Sequence, residues 1–182
     1  MGRPDQVDGR VARLIDADRL MAHPLPTVER RYDARDCSAY AVAIGLGRDA
    51  AGRGRRYVDA SCLVAFPTLA ASLGTPGFWM RDPATGIDAT RALHVGQAVT
   101  LHAPLPPAAT VVARNRVVGV VDKGAAGALV VVRREIDDAA TGARLATVDA
   151  RTLCRADGGC GDAGDAPVPV PSMPERAPDA VR

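Results

Sequence analysis

The chain has 182 residues, 47% of them hydrophobic but only 3% aromatic, and carries a formal net charge of +2. That length suits one domain with tails and is enough to bury a core, which must then be built from Val, Leu, Ala and Ile rather than from rings. The near-neutral charge gives no ground for a nucleic-acid or membrane-surface partner, and no apolar stretch approaches the ~20 residues a membrane helix needs.

Residues 1–10 are polar and aperiodic and read as a flexible N-terminal tail. Arg3, Asp5, Asp8 and Arg10 stand where a signal peptide needs an apolar run. The four cysteines, Cys37, Cys62, Cys154 and Cys160, form no Cys-x-x-Cys pair and have no His at ligand spacing. They read as thiols in a reducing compartment, so a cytoplasmic protein without a metal site is expected. The folded unit is placed at 11–160. Residues 161–182, with Gly161, Gly164 and a run of prolines from Pro167 to Pro178, read as a Pro/Gly-rich linker or C-terminal tail.

Within the folded unit the first clear signal is a helix start. Asp33 is placed to cap and Asp36 falls at the third helical position, as in a capping box. Cys37, Tyr40, Ala41 and Ile44 then share one apolar face, and Gly45 and Gly47 stop the helix, which is predicted near 36–46. A strand is predicted at 97–102, ending before Pro104. A Val-rich run at 109–122 turns at Asp122-Lys123-Gly124 into a second run at 127–136, and a further turn at 137–142 leads to a third at 144–154. In that third run Ala146, Val148, Ala150, Thr152 and Cys154 share one face, the pattern of a sheet with one side buried. The whole is an α+β unit, a curved antiparallel sheet packed on one helix.

No phosphate-binding loop, nucleophile elbow or zinc-helix motif is present. The cluster Gly158-Gly159-Cys160-Gly161 follows a strand without opening a helix, and reads as a flexible exit from the sheet. His23 is structural or solvated, and His102 is a packing or surface residue. His94, just before the predicted strands, is by spacing a satisfied structural histidine or a site residue. Phe66-Pro67-Thr68, Phe78 and Trp79 are core residues or the lining of an apolar tunnel. Lys123 is the single lysine against 22 arginines, a composition in which a lone ammonium is either one solvated turn residue or a selected one.

The order of these segments resembles the N-terminal domain of the MaoC-like dehydratases, as found in the two-domain type 2 (R)-specific enoyl-CoA hydratases and the hydratase part of peroxisomal multifunctional enzyme type 2. The resemblance is carried by Arg31-Tyr32-Asp33-Ala34-Arg35-Asp36, Phe66-Pro67-Thr68-Leu69, Gly86-Ile87-Asp88, Leu93-His94-Val95-Gly96-Gln97, Pro104-Leu105-Pro106, Asp122-Lys123-Gly124 and Gly158-Gly159. It continues to Arg176-Ala177-Pro178-Asp179-Ala180-Val181, which looks like the linker between the two domains. The resemblance implies a hot-dog fold and an acyl-CoA thioester as ligand, with no cofactor. It implies ligand contacts at His94, Val95 and Lys123. It also implies a second hot dog that carries a catalytic Asp and His in an Asp-x-Asn-Pro-x-His motif, a motif these residues do not contain. The chain is therefore expected to supply no catalytic residue itself and to work with a catalytic MaoC-type partner chain or as a homodimer. The alternatives are a non-catalytic CoA-thioester binding module and a structural dimer-forming subunit. Three positions depart from the family pattern: Val95 stands for a Gly, Cys160 for a Phe and Asp162 for a Gly.

Overall fold

The computed structural model describes residues 15–48, 52, 54–165 and 175–177. The expected tail at 1–10 and most of that at 161–182 lie outside these residues. One antiparallel sheet dominates. Its strands are β1 (Thr27–Tyr32), β2 (Ala92–Leu101), β3 (Ala109–Asp122), β4 (Ala128–Asp138), β5 (Arg144–Cys154) and the two-residue β6 (Ala163–Gly164). The order is β1-β3-β4-β5-β2, with β6 also lying against β3. The three long predicted runs are thus consecutive antiparallel strands; the first turn falls where the sequence places it, while β4 runs on through Asp137 and Asp138, both expected in the second turn. Among the described residues no helix is long and apolar enough to cross a membrane.

Two elements escape a hydrophobic reading. The short helix α1 (Ala17–Met21) buries Ala17 and Leu20 against the sheet. Strand β1 carries Glu29, Arg30 and Arg31, all exposed, and buries only Tyr32 fully. It forms because the edge of β3 offers its backbone partners, from Thr27 opposite Arg114 to Tyr32 opposite Ala109. The charges then guard an edge strand against further pairing.

The capped helix α2 spans Ala34–Ala43, starting two residues before the predicted range. The Asp33 carboxylate accepts from the Arg35 and Asp36 amides, and the Asp36 carboxylate accepts from that of Asp33, a complete capping box. Cys37 and Ala41 are its buried face. The helix does not fill the curve of the sheet alone. A 3-10 segment, Pro67–Ser72, lies there too, and Leu69, Ala70 and Leu73 join Cys37 against Val111, Ala113, Ile136, Ala146 and Val148. The Tyr40 hydroxyl donates to the Thr68 carbonyl and so ties helix to segment.

The inner face holds two apolar clusters rather than one. The second gathers Ile15, Leu20, Val117, Val120, Val130, Val132 and Cys154. Along β4, alternate residues share a face, and Arg134 stands between Val132 of the second cluster and Ile136 of the first. It is only 4% exposed. Its Nη1 donates to the carbonyls of Ala71 and Leu73, each at 3.0 Å, and its Nε donates to Asn115 Oδ1. Asn115, also buried, turns its Nδ2 to the carbonyls of Pro26 and Gly74. All of these acceptors are neutral, so burial pushes the Arg134 pKa down from the ordinary guanidinium value. The outer face is the reverse, a lattice of opposite charges across three strands. Arg114 and Arg144 both bind the Asp137 carboxylate, Arg144 also reaches Glu135 at 3.1 Å, and Arg133 grips Asp149 with two bonds of 2.7 Å. Burial alone would raise the Asp137 pKa, but the guanidinium groups of Arg144 and Arg114 outweigh it and hold the carboxyl below its usual range.

Replacing Arg134 by Met keeps the apolar stem and removes every donor, leaving the Ala71 and Leu73 carbonyls facing an apolar side chain. We expect a loss of about 2–4 kcal/mol. It should appear as a lower urea midpoint with an unchanged slope; a midpoint equal to that of the parent chain would remove Arg134 from its structural role.

Candidate functional site

Strand β2 begins at Ala92, five residues before the predicted start, so His94 lies inside the sheet and not ahead of it. The cause is a bulge. His94 pairs with Thr152 and Gly96 with Arg151, which leaves Val95 as the extra residue. The bulge shifts the phase of alternation, so a period-two pattern read back from 97 stops at it. By this register Ala92 and His94 share a face with Cys154 and Thr152, the inner face of the sheet. Val95 is 48% exposed.

His94 opens on a cleft of about 410 Å³ whose walls include Phe78, Trp79, Arg81, Ala92 and Thr152. Phe78 is 82% exposed, and its ring lies under the Arg81 guanidinium at 4.8 Å. Trp79 packs on the second apolar cluster and meets the His23 ring at 5.8 Å. The wall that carries them is a chain of tight turns held by its own bonds. The Asp82 carboxylate accepts from the Ala84 amide, and the buried Thr85 hydroxyl donates to the Asp82 carbonyl and accepts from the Ile87 amide. The Asp88 amide then donates to the buried Asp157 carboxylate beyond the end of β5. The other ring-bearing segment serves a different place. A second cleft, about 440 Å³, is lined by Tyr57, Val64, Pro67, Leu101 and Leu105 at the far end of β2. His102 sits there with Nε2 at 2.9 Å from Thr147 Oγ1.

Lys123 does not line the His94 cleft. It is exposed at the β3–β4 hairpin tip, where it precedes the 3-10 turn Gly124–Ala126. The tip is nevertheless at the same end of the sheet, because Asp122 pairs with Ala128, Ala128 with Cys154 and Cys154 with Ala92. The backbone is continuous across that end. The Lys123 amide donates to the Gly127 carbonyl, a side chain at 127 would come within 2.7 Å of the Arg155 Cα, and the Arg155 amide donates to the Arg91 carbonyl. Lys123, Arg155 and Arg91 therefore succeed one another along the rim. The sequence singles out only Lys123; Arg155 and Arg91 carry no distinguishing signal among so many arginines until the Ala92–Cys154 pairing places them side by side.

The glycine cluster after β5 is not a loose exit. Asp122 accepts hydrogen bonds from the amides of Gly124 and Gly159 at Oδ1 and of Gly161 at Oδ2, at 2.7–3.0 Å. Asp162 answers by accepting from the Asp122 amide at 2.7 Å. Gly158 fits so close that a Cβ there would lie 1.8 Å from the Gly124 carbonyl oxygen. The chain then returns to β3 as β6, pairing Ala163 with Val120. The amides of Gly159, Gly161 and Gly124 hold the Asp122 pKa below the usual carboxylate range. No group of three or more His, Cys, Asp or Glu side chains among the described residues could hold a metal ion.

Residues 31–156 match the model of the MFE-2 hydratase 2 N-terminal domain. The chain is 30% identical over 171 residues to the enoyl-CoA hydratase ChsH3 of Mycobacterium tuberculosis, covering 91% of this chain and 58% of that protein. It is 29% identical over 131 residues to the peroxisomal enoyl-CoA hydratase 2 of Arabidopsis thaliana, covering 68% of this chain and 42% of that one. It thus spans about half the length of these relatives. A MaoC-like dehydratase from Phytophthora capsici shares the hot-dog fold, with a TM-score of 0.72 and 24% identity over 89% of this chain and 57% of that one.

Because the folded Asp122 pKa is depressed, its contribution to holding the 158–161 turn is present above the unfolded value near 4 and is lost as pH falls through the folded one. Amide exchange at Gly159 and Gly161 should therefore accelerate below pH ~4, relative to the core strands. Asp122→Ala should show the same acceleration at neutral pH, and unchanged protection in that variant would break the assignment.

Proposed function

The chain belongs to the MFE-2 hydratase 2 N-terminal domain family of MaoC-like hot-dog proteins, and on that premise we propose that it is the acyl-CoA-binding half of an (R)-specific 2-enoyl-CoA hydratase. The family match over residues 31–156 carries this reading. It spans His94, Val95 and Lys123, the positions at which the resemblance implies ligand contacts. His94 supplies a polar group at the mouth of a ring-walled cleft, and Lys123 offers an ammonium with three donors on the rim. Val95, where the family has a Gly, is the bulge residue beside His94 and is half exposed.

Hydration adds a water oxygen and a proton across the 2,3 double bond of the thioester, which needs a positioned base and acid. These residues contain no Asp-x-Asn-Pro-x-His motif, and those groups come from a second hot dog, on this polypeptide or on another. Strand β2 is where it docks. It ends the sheet, no Asp, Glu, Lys or Arg falls between Ala92 and Leu101, and Leu93 and Val95 are about half exposed. The four cysteines are unpaired, in keeping with a reducing, cytoplasmic setting.

Calorimetric titration with a non-hydratable acyl-CoA tests the binding role. Lys123→Ala should weaken binding by about 1.5–3 kcal/mol, less at high salt. Arg30→Ala on the distant edge strand should change little. Equal affinity for parent and Lys123→Ala would remove Lys123 from the site, and no binding by the parent would defeat the reading.

Activity and association give the second test. These 182 residues alone should not hydrate a 2-enoyl-CoA, and should sediment as a dimer or larger at tens of micromolar. Turnover that survives repurification, or a monodisperse monomer, would overturn the corresponding half of the proposal.

A further inference from the structure

We propose that Arg91 and Arg155 form a clamp for the phosphate of a phosphopantetheine thioester, at the mouth of the His94 cleft. This rests on the acyl-thioester reading above and extends it to residues outside the family's ligand-contact motifs.

Both side chains line a cleft of about 250 Å³ together with Thr90, Ala92 and Leu93. That is smaller than the ~300–1,000 Å³ of a pocket for a whole ligand and suits a single group. Ala92 lines this cleft and the His94 cleft alike, so the two adjoin at the end of β2. A ligand with a phosphate at one end of a long arm meets the cations first and the ring-walled cleft next.

The two arginines are in a different state from those of the outer face. There Arg114, Arg133 and Arg144 are each engaged by a carboxylate. Arg91 and Arg155 are exposed, and neither guanidinium has a hydrogen bond or ion pair with a described residue. The Thr90 hydroxyl is already given to the Asp88 carboxylate at 2.5 Å, so the polar capacity left in the cleft is cationic. Asp157 acts on Arg91, but its carboxylate is buried, faces the Asp88 amide, and has its pKa raised by burial. Guanidinium groups pair with phosphate oxygens in a planar fork, and two of them on one cleft, with the Asp88 carboxylate already holding the Thr90 amide and hydroxyl, favour a phosphorylated arm over the same arm without its phosphate.

Two carriers present this group, coenzyme A and the prosthetic arm of an acyl carrier protein. The test uses the full chain and saturated S-acyl-4′-phosphopantetheine beside the same thioester of dephosphorylated pantetheine. The parent should bind the phosphorylated compound roughly tenfold tighter or better. In Arg91→Gln/Arg155→Gln that preference should vanish while affinity for the dephosphorylated thioester stays the same. Thermal melts verify that the variant is folded, as expected for two exposed side chains. Equal affinities in the parent, or a preference that survives in the variant, overturns the clamp and leaves the thioester reading standing. No binding of either compound overturns both. Parallel titration with the CoA thioester and with the carrier-borne thioester identifies the carrier as the one whose affinity falls in the variant; a fall in neither also overturns the clamp.

Discussion

The buried guanidinium of Arg134 is the constraint around which the rest of the domain is arranged. A chain with so few rings cannot close a wide curved sheet with bulky core residues, and its inner face is split into two Val- and Ala-rich clusters. Arg134 occupies the gap and converts it into a point of attachment. Through its own donors and those of Asn115 it holds the carbonyls of Ala71, Leu73, Gly74 and Pro26. Those carbonyls belong to irregular backbone that a sheet cannot pair. Taking a guanidinium out of water is costly without a carboxylate beside it. It persists because each donated bond also satisfies a buried carbonyl that would otherwise be unmatched.

The motifs that resembled a family acquire physical meaning in the same terms, since most are halves of a tie. Tyr32 donates its hydroxyl to the Pro106 carbonyl at 2.9 Å, and burial pushes its pKa up to about 12. Tyr40 meets Thr68, Asp88 meets Asp157, and Asp122 meets the glycines at 159 and 161. Of the departures, Asp162 adds a bond to the Asp122 amide that a glycine cannot make, while Cys160 packs its thiol on the second cluster.

The hairpins from 109 to 154 were legible because each strand alternates and each turn is marked by Asp and Gly. The capped start of α2 was legible because a capping box is local. What was hidden depends on partners distant in sequence. Strand β1 is a charged edge that exists only because β3 accepts it, and the first half of β2 is concealed by the bulge at Val95. The glycine cluster looked loose because nothing in its neighbourhood announces the Asp122 carboxylate. His94 and Lys123 stood out from the sequence as chemistry-bearing residues. Whether Phe78 and Trp79 were core or cleft was undecidable there, and the structure gives both answers: Trp79 is packed, Phe78 is almost wholly exposed.

The two edges of the sheet are unlike, and this bears on how the sheet can be extended. At one end, β1 displays Glu29, Arg30 and Arg31 to solvent; at the other, β2 presents a nearly uncharged ladder. A sheet open at both ends propagates by repeated strand addition and grows into fibres. A sheet with one barred end and one receptive end can accept a single neighbour, and when that neighbour is built alike the pair has no receptive end left. The asymmetry is thus a termination rule, written into the charges of a strand that contributes little to the core.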